Sequence, residues 1–213
     1  MRQYGRFLDL LGDAWLTTVQ QASRRPNWGR EKEKELVKIF QDNLAALGSK
    51  SAPHMIISDP YAPERFVTPN GHQFFVDLVI EYASAKFAVE SKFKTRSDGA
   101  VPDNRLEVFY DLWKCESYID SEEYEASFFT FLTDEPSYLR VASGKSREFS
   151  LHDGRIYQKN TPLHAGRSRR GISFPEPLTL KKGYSFRWVE VVSNWYVLSF
   201  QIAGEASTSL LHQ

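Results

Sequence analysis

The chain has 213 residues, and its 27 lysines and arginines balance its 27 aspartates and glutamates, so net charge does not mark it as a polyanion-binding protein. The only cysteine, Cys115, excludes an internal disulfide and a zinc site built on cysteines. The sequence contains no secretory signal pattern and no apolar run long enough to span a bilayer. We therefore expect a cytoplasmic protein without a membrane partner.

Hydrophobic periodicity predicts three amphipathic helices along the chain. They are expected at residues 4–20, 30–47 and 105–119. Gly48 directly follows the second apolar stripe and is expected to end that helix, because glycine is common just past a helix C-terminus.

Short apolar runs rich in valine, isoleucine and phenylalanine predict the strands. They are expected at residues 54–58, 74–80, 87–93 and 126–133. After residue 133 the sequence is β-prone and irregular, and it contains a predicted final hairpin whose turn holds Ser193 and Asn194.

Charged residues lie inside the two central predicted strands. Side chains alternate faces along a strand, so Glu90, Lys92 and Lys94 share one side of theirs. Asp77 lies in the other strand, and a short antiparallel connection brings it beside Glu90 on the same face. Ionised carboxylates in strands this apolar are costly unless they are paired, hydrogen-bonded or bound to a metal ion.

This set of charges predicts a site for a hard divalent cation. Oxygen ligands from Asp77 and Glu90 suit Mg²⁺, which keeps some of its water molecules when a protein binds it. Lys92 is expected to orient or deprotonate one of those waters, because partial desolvation near a metal lowers the pKa of an ammonium group. The alternative is a charged sheet edge with a solvated salt bridge and no metal.

The pattern of Asp77 followed by Glu90-Ser91-Lys92 resembles the signature of the PD-(D/E)XK nuclease superfamily, an acid on one strand and Glu/Asp-x-Lys on the next. The predicted element order between residues 30 and 133 is also that of the family's core. The resemblance implies an α/β fold with a restriction-endonuclease-like core, in which helices flank a mixed central sheet. An N-terminal helix and a β-rich C-terminal extension lie outside that core.

A chain of this length fits one domain of ordinary size. We expect a nuclease-like domain over residues 1–213, with its core at about residues 30–133 and a basic, β-rich extension at about residues 134–213.

The resemblance also implies roles for individual residues of the central strands. Asp77, Glu90 and the main-chain carbonyl of Ser91 would hold Mg²⁺. Mn²⁺ is expected to be able to substitute for Mg²⁺ at this site. Lys92 would act on the water that attacks the phosphodiester. Lys94, one step further along the same face, would contact the nucleic acid near the scissile bond.

The helix before the sheet often adds one more acid to the metal site in this family. Glu33 is the candidate here, because it extends the buried stripe of the second helix, and its neighbours Glu31 and Glu35 stay open as alternatives. Acids in the first turns of a helix also interact favourably with its dipole, which requires no function.

Charge is unevenly distributed along the chain. Residues 103–135 are strongly acidic and residues 145–187 strongly basic, with the densest basic piece at Arg167, Arg169 and Arg170. A flexible basic loop of this kind suits contacts with a nucleic-acid backbone. The alternative is that these bases neutralise the acidic helix within the fold or on a dimer partner.

Together these features predict a Mg²⁺-dependent nuclease that hydrolyses phosphodiester bonds in DNA, in restriction, phage defence, repair or transposition. Two other functions stay open, a non-catalytic nucleic-acid-binding module and a protein–protein adaptor on the same fold. RNA is an alternative substrate, and a homodimer or a larger nucleoprotein complex is left open. The sequence has no G-x-G-x-x-G or Walker A loop, so we expect no nucleotide cofactor.

Overall fold

The computed structural model of the protein describes residues 4–25, 27–28, 32–52, 54–68, 70–164 and 177–203. Three α-helices lie in these residues, α1 (Gly5–Ser23), α2 (Lys32–Ser51) and α3 (Val101–Asp120). Each coincides with a helix predicted from the periodicity, so that prediction is confirmed. None of these three helices has the length and apolar character needed to cross a membrane.

Twelve β-strands lie in the same described residues. They are β1 (Ile56–Ile57), β2 (Glu64–Val67), β3 (Gln73–Val76), β4 (Leu78–Tyr82), β5 (Ala85–Lys94), β6 (Ala126–Thr133), β7 (Ile156–Tyr157), β8 (Pro162–Leu163), β9 (Leu178–Thr179), β10 (Tyr184–Ser185), β11 (Val189–Val192) and β12 (Trp195–Ala203). The predicted strands at residues 87–93 and 126–133 are confirmed as β5 and β6, and the final hairpin is confirmed as β11 and β12.

Six of the strands form one mixed sheet, in the order β1-β4-β5-β6-β12-β11. β4 and β5 pair antiparallel through the tight turn at Ala83 and Ser84, whose positive φ angles of 52° and 66° suit a two-residue hairpin. β5 and β6 pair parallel, and α3 makes the crossover that a parallel connection requires. The protein is therefore a mixed α/β fold, which confirms the predicted class at that level.

The helices cover both faces of the sheet. α1 and α2 pack on one face, where Phe40 and Leu44 of α2 meet Ile80 of β4. Neighbouring residues of a strand face opposite sides, and Val79 accordingly meets Tyr118 of α3 on the other face.

After β6 the chain wraps around the outer side of α3 and then returns to the sheet. Phe109 of α3 packs against Phe149, Tyr157 and Phe186, with ring centroids 5.8, 5.8 and 5.6 Å away. β12 then pairs antiparallel with the whole length of β6. α3 therefore lies between the sheet and a second layer of chain, and most of its residues are buried.

The prediction of one continuous strand at residues 74–80 is wrong. The chain bends at Asp77, so β3 and β4 are separate strands. β3 pairs with β2 in a two-stranded sheet, while β4 joins the main sheet. The bend turns the Asp77 carboxylate toward the Ser91 N–H, a long-range contact that an apolar run in the sequence does not reveal.

The predicted end of the second helix at Gly48 is also wrong, because α2 continues to Ser51. A Cβ atom at position 48 would collide with the terminal methyl group of Met55. The glycine therefore lets the chain that follows α2 pack closely against the helix, and it does not mark a C-terminal stop.

Candidate active site

The candidate site lies where β5 loses one of its two neighbours. β4 pairs with β5 only from Leu78 opposite Val89 to Tyr82 opposite Ala85. β5 runs on to Lys94, and among the described residues this second half pairs with β6 alone. One edge of β5 therefore presents main-chain groups that no strand in the described part of the chain satisfies.

Carboxylates from two other elements take the place of the missing strand. The Asp77 carboxylate accepts a hydrogen bond from the Ser91 N–H at 2.8 Å. The Glu33 carboxylate, from the first turn of α2, accepts one from the Phe93 N–H at 3.2 Å. The C=O of a strand residue points to the same edge as its N–H, so the Ser91 carbonyl faces this open edge too.

A cavity of about 190 Å³ borders the open edge of β5. Its lining consists of Glu33, Lys34, Val37, Pro60, Asp77 and Ser91. One water molecule needs roughly 10–15 Å³ of such space, so the cavity has room for a hydrated ion or a phosphate group.

Glu90 points to the other side of β5, toward α3. Its side chain is 1% exposed, and its carboxylate accepts hydrogen bonds from the Lys114 ammonium group and the Tyr118 hydroxyl. Both partners belong to α3, so this helix fixes the position of the Glu90 carboxylate.

Lys92 is held by acids of the same helix. Its Nζ lies 3.1 Å from Glu107 Oε2 and 3.1 Å from Asp111 Oδ2. The other oxygen of Asp111 lies 3.0 Å from Lys114 Nζ. A continuous chain of hydrogen-bonded acidic and basic side chains therefore links Glu90 to Glu107 through the interior between β5 and α3.

Lys94, at the end of β5, pairs with Glu33, and its Nζ lies 2.7 Å from Glu33 Oε1. Burial by itself raises the pKa of Glu33, but the charges of Lys92 and Lys94 outweigh that effect and hold the pKa below its ordinary value. Glu33 is therefore ionised where it borders the cavity.

The cluster contains more carboxylates than ammonium groups. Its carboxylates belong to Glu33, Asp77, Glu90, Glu107 and Asp111, and its ammonium groups to Lys92, Lys94 and Lys114. Five carboxylates against three ammonium groups leave a formal charge of −2 when every group is ionised. Burial raises the pKa of Asp77, and it raises that of Glu90 to about 8, which the charge of Lys114 only partly offsets.

The donor groups suit a Mg²⁺ ion that lies in the cavity better than a Mg²⁺ ion that lies between Asp77 and Glu90. Mg²⁺ is usually bound by one or two carboxylates and keeps several waters. Asp77, Glu33 and Ser91 line the cavity, whereas the Glu90 carboxylate is hydrogen-bonded to side chains of α3. Within the described ranges, no three His, Cys, Asp or Glu side chains are arranged to hold a metal by themselves. The fit therefore depends on the Ser91 carbonyl and on water.

The expected lowering of the Lys92 pKa is wrong for this arrangement. Burial by itself lowers that pKa, but the charges of Asp111, Glu33 and Glu107 outweigh it and raise the pKa above its ordinary value. Lys92 is therefore an ammonium group that donates hydrogen bonds, and it is not a base.

The structure brings together most of the residues that the sequence singled out. Those that lie along the open half of β5 are Glu33, Asp77, Glu90, Ser91, Lys92 and Lys94. Glu35 lies apart from them and pairs with Arg25 at 3.2 Å on the surface. The remaining candidates, Glu31, Arg167, Arg169 and Arg170, lie outside the described residues.

Four residues of α3 complete the cluster and were not among the candidates from the sequence. Glu107, Asp111, Lys114 and Tyr118 follow one another at intervals of four, three and four residues, which places them on one face of a helix. Polar residues repeated at these intervals, in a helix that also has many apolar residues, are the sequence signal from which the four residues could have been identified.

Comparison of the chain with protein-family models, with curated proteins and with solved structures finds no match in any of the three. Its function is therefore inferred from the geometry and charge of the site.

We expect Lys114→Met to lower the free energy of unfolding by about 3–5 kcal/mol, because it leaves Glu90 and Asp111 as buried acids without their shared partner. Urea unfolding followed by circular dichroism measures this loss. Lys38→Met is the matched control, since Lys38 pairs with Asp42 at 2.8 Å on the surface of α2 and such pairs contribute little. Equal losses in the two variants would contradict the role assigned to the buried pairs.

In protein treated with a chelator, we expect thermal stability to fall as pH rises from about 5 to about 8. The ordinary Glu pKa is 4.5, whereas Glu90 in the folded state keeps its proton until about pH 8. Between these values the folded protein binds one more proton than the unfolded chain, so its free energy of unfolding decreases with rising pH. Asp77 shifts in the same direction.

Melting temperatures recorded across this pH range test the expectation. Glu90→Gln removes the main titrating group and keeps an oxygen that accepts from Lys114, so its slope is expected to be flatter. A wild-type stability that rises with pH, or an unchanged slope in Glu90→Gln, would show that Glu90 is ionised throughout.

Proposed function

We propose that the protein is a Mg²⁺-dependent nuclease that hydrolyses phosphodiester bonds in DNA. The observation that carries the proposal is the open half of β5, where Asp77, Glu33 and Ser91 border a cavity of about 190 Å³ and two carboxylates lie on its wall. Oxygen donors in this number suit a hydrated divalent cation, and a cation there attracts the phosphate group of a substrate.

The order and pairing of the elements support a restriction-endonuclease-like core of the PD-(D/E)XK type. Apart from β2 and β3, which pair with each other and lie between β1 and β4, the chain runs from α2 through β1, β4, β5 and α3 to β6, that is helix, strand, strand, strand, helix, strand. β1, β4 and β5 pair antiparallel, and β5 pairs parallel with β6. The acid at Asp77 and the run Glu90-Ser91-Lys92 lie where β4 and β5 separate, which supports a site of this type.

In this proposal Asp77 and the Ser91 carbonyl would hold Mg²⁺, with Glu33 as the second carboxylate. Glu90 could take that place only by giving up its partners Lys114 and Tyr118 on α3. When bound, the ion supplies Lewis-acid polarisation of a phosphate oxygen and lowers the pKa of a coordinated water. Mn²⁺ suits the same oxygen ligands.

The lysines of the site supply positive charge and hydrogen bonds to the substrate. Lys92 keeps its proton because two acids of α3 lie 3.1 Å from its nitrogen, so it stabilises charge on the phosphate or orients the attacking water. Lys94, held by Glu33, is the next cation along β5. Lys34 borders the cavity from α2 and adds a third positive group.

A second function, nucleic-acid binding without cleavage, is favoured by the ion pairs of the site. Glu90 accepts a hydrogen bond from Lys114, and Lys92 pairs with two acids of α3, so these groups have partners without a metal or a substrate. A catalytic site would need at least one of these groups to exchange its partner when a substrate binds.

The basic C-terminal region has a role inside the fold as well. Lys181 Nζ lies 2.7 Å from Asp120, and the Lys181 and Lys182 N–H groups donate to Glu116 of α3 at 2.7 and 2.9 Å. This part of the region therefore neutralises the acidic helix, while the contacts proposed for Arg167 and its neighbours stay a prediction.

We expect the purified protein to cut plasmid or single-stranded DNA with Mg²⁺ or Mn²⁺ and not with EDTA. Asp77→Asn is expected to lower the rate by about 100-fold or more, because it weakens ion binding yet keeps an oxygen that accepts from Ser91. Asp42→Asn changes a surface acid of α2 and is the matched control, which should cut as wild type does. Gel assays of time courses measure these rates.

Two outcomes of the cleavage assay would contradict the proposal in different ways. No cutting of either DNA with either ion excludes catalysis, and DNA binding in a gel-shift assay would then support the non-catalytic module. Cutting by Asp77→Asn at the wild-type rate would move the active site elsewhere.

Mg²⁺ is expected to raise the melting temperature of the wild type and not that of Asp77→Asn. A ligand that binds only the folded state at 100 times its Kd stabilises it by about 2.7 kcal/mol. Differential scanning fluorimetry at constant ionic strength measures the shift, with KCl as the control for screening. The same rise in both proteins would mean that Asp77 does not hold the ion.

A further inference from the structure

Two strands outside the main sheet form a ribbon beside the candidate site. β2 and β3 pair antiparallel with each other, and β3 ends one residue before Asp77. The inner face of the ribbon is buried, because Phe66 and Phe74 pack against Tyr118 of α3 with ring centroids 4.9 and 5.6 Å away. The four residues of the outer face are all exposed, and they are Arg65, Val67, Gln73 and Phe75. The ribbon is therefore anchored by one face and open on the other.

Two exposed aromatic rings border the cavity at Asp77. Phe75 and Tyr61 are 57% and 50% exposed, whereas the other aromatic residues in the described part of the chain are buried or half-buried. Phe75 is two residues before Asp77, so at about 3.3 Å per residue their Cα atoms are at most about 7 Å apart. Tyr61 directly follows Pro60, which lines the cavity, and its N–H donates to the Asp59 carboxylate at 2.9 Å. Single exposed apolar residues are common on protein surfaces, but here both exposed rings flank one cavity.

An arginine accompanies the ring of Phe75. Arg65 lies directly opposite Phe75 in the ribbon, and such cross-strand neighbours have Cβ atoms about 4.5–5.5 Å apart. The Arg65 guanidinium group donates a hydrogen bond to the Gln73 side chain, which belongs to the same outer face. A ring beside an exposed guanidinium group suits a nucleotide, because a base stacks on the ring and a phosphate oxygen accepts from the arginine.

The small size of this surface argues against a stable protein–protein interface. Such an interface buries roughly 800 Å² and involves about 20–30 residues on each partner. The outer face of the ribbon has four exposed residues, and Tyr61 is a fifth. A nucleic-acid strand, whose phosphate group fits the neighbouring cavity, matches this small surface better than a folded partner does.

Stacking on these rings requires bases that are not paired in a duplex. Each base inside a duplex is covered on both faces by its neighbours in the stack, so a side-chain ring has no free face to contact. The bases of a single strand can be splayed out and stacked on aromatic side chains. The two rings therefore favour an unpaired strand over a duplex.

We propose that the site binds single-stranded DNA, with bases on either side of the phosphate in the cavity stacked on Phe75 and Tyr61. Arg65 donates to a neighbouring phosphate of the same strand. The proposal names the substrate class of the proposed function, and it rests on that function because it takes the cavity at Asp77 as the place of a phosphate group. Sequence preference is expected to be weak, since every base has a face that can stack.

Fluorescence anisotropy of the full chain with a fluorescein-labelled oligothymidylate of about 12 nucleotides tests the proposal. Ca²⁺ replaces Mg²⁺ in this assay, because it also takes oxygen ligands, and a gel verifies that the probe stays uncut. We expect the single strand to bind at least about tenfold more tightly than the duplex that it forms with oligodeoxyadenylate.

Phe75→Leu keeps an apolar side chain and removes the ring. We expect it to weaken single-strand binding by about fivefold or more, and Tyr61→Leu to act in the same direction. Phe75→Trp keeps a ring and should bind at least as tightly as wild type. On a strand of the same length without bases, Phe75→Leu and wild type should bind equally.

Ile156→Ala is the matched control, because Ile156 is a 63% exposed apolar residue of β7, in another two-stranded sheet. It should bind the single strand as wild type does, and thermal melts verify that all variants fold. The proposal is overturned if single strand and duplex bind equally, if neither Phe75→Leu nor Tyr61→Leu weakens binding, or if no DNA binds.

Cleavage assays separate this result from the proposed function. Binding of the single strand as expected, without cutting in Mg²⁺ or Mn²⁺, would support the stacking site and refute the nuclease. Mg²⁺-dependent cutting of single strand and duplex at equal rates, by wild type and by Phe75→Leu, would support the nuclease and refute the stacking site.

Discussion

β4 ends opposite Val89, so the second half of β5 has no β4 strand along that edge. The candidate site is organised around this open edge. Buried main-chain groups need partners, and here the Asp77 and Glu33 carboxylates accept from the Ser91 and Phe93 N–H groups. Because these acceptors come from a bend and a helix, they leave a cavity beside the strand with two carboxylates on its wall. The hydrogen bonds that complete the sheet therefore also concentrate negative charge at one place.

α3 determines how that charge is balanced. The sheet covers it on one side and the C-terminal part of the chain on the other, so its charged residues pair with β5 and with each other. Replacing a whole buried ion pair by apolar groups is often neutral, whereas removing one partner is costly. The network therefore fixes where Glu90 and Lys92 lie, and an ion or a substrate that binds them must compete with their partners on α3.

The local sequence was sufficient to predict the three helices, β5, β6 and the final hairpin, because their periodicity and turns depend on residues close along the chain. The tight turn at Ala83 and Ser84 sets the register in which Leu78 lies opposite Val89. Extended by one step, that register predicts Asp77 opposite Glu90, although in the structure the pairing ends at Leu78 and Val89. The acids and the lysine of the two central strands could therefore be grouped from the sequence alone.

The partners of these groups could not be predicted in the same way. At the bend that divides residues 74–80, the Asp77 carboxylate accepts from the Ser91 N–H, and Gly48 packs closely against Met55. A local sequence pattern reveals neither contact. Lys92 keeps its proton because acids of α3 approach its nitrogen to 3.1 Å. The sequence by itself determined the elements and the chemical groups available, because side-chain type and periodicity are local properties. Only the tertiary structure decided their contacts and charge states, because these arise between parts of the chain that are distant in sequence.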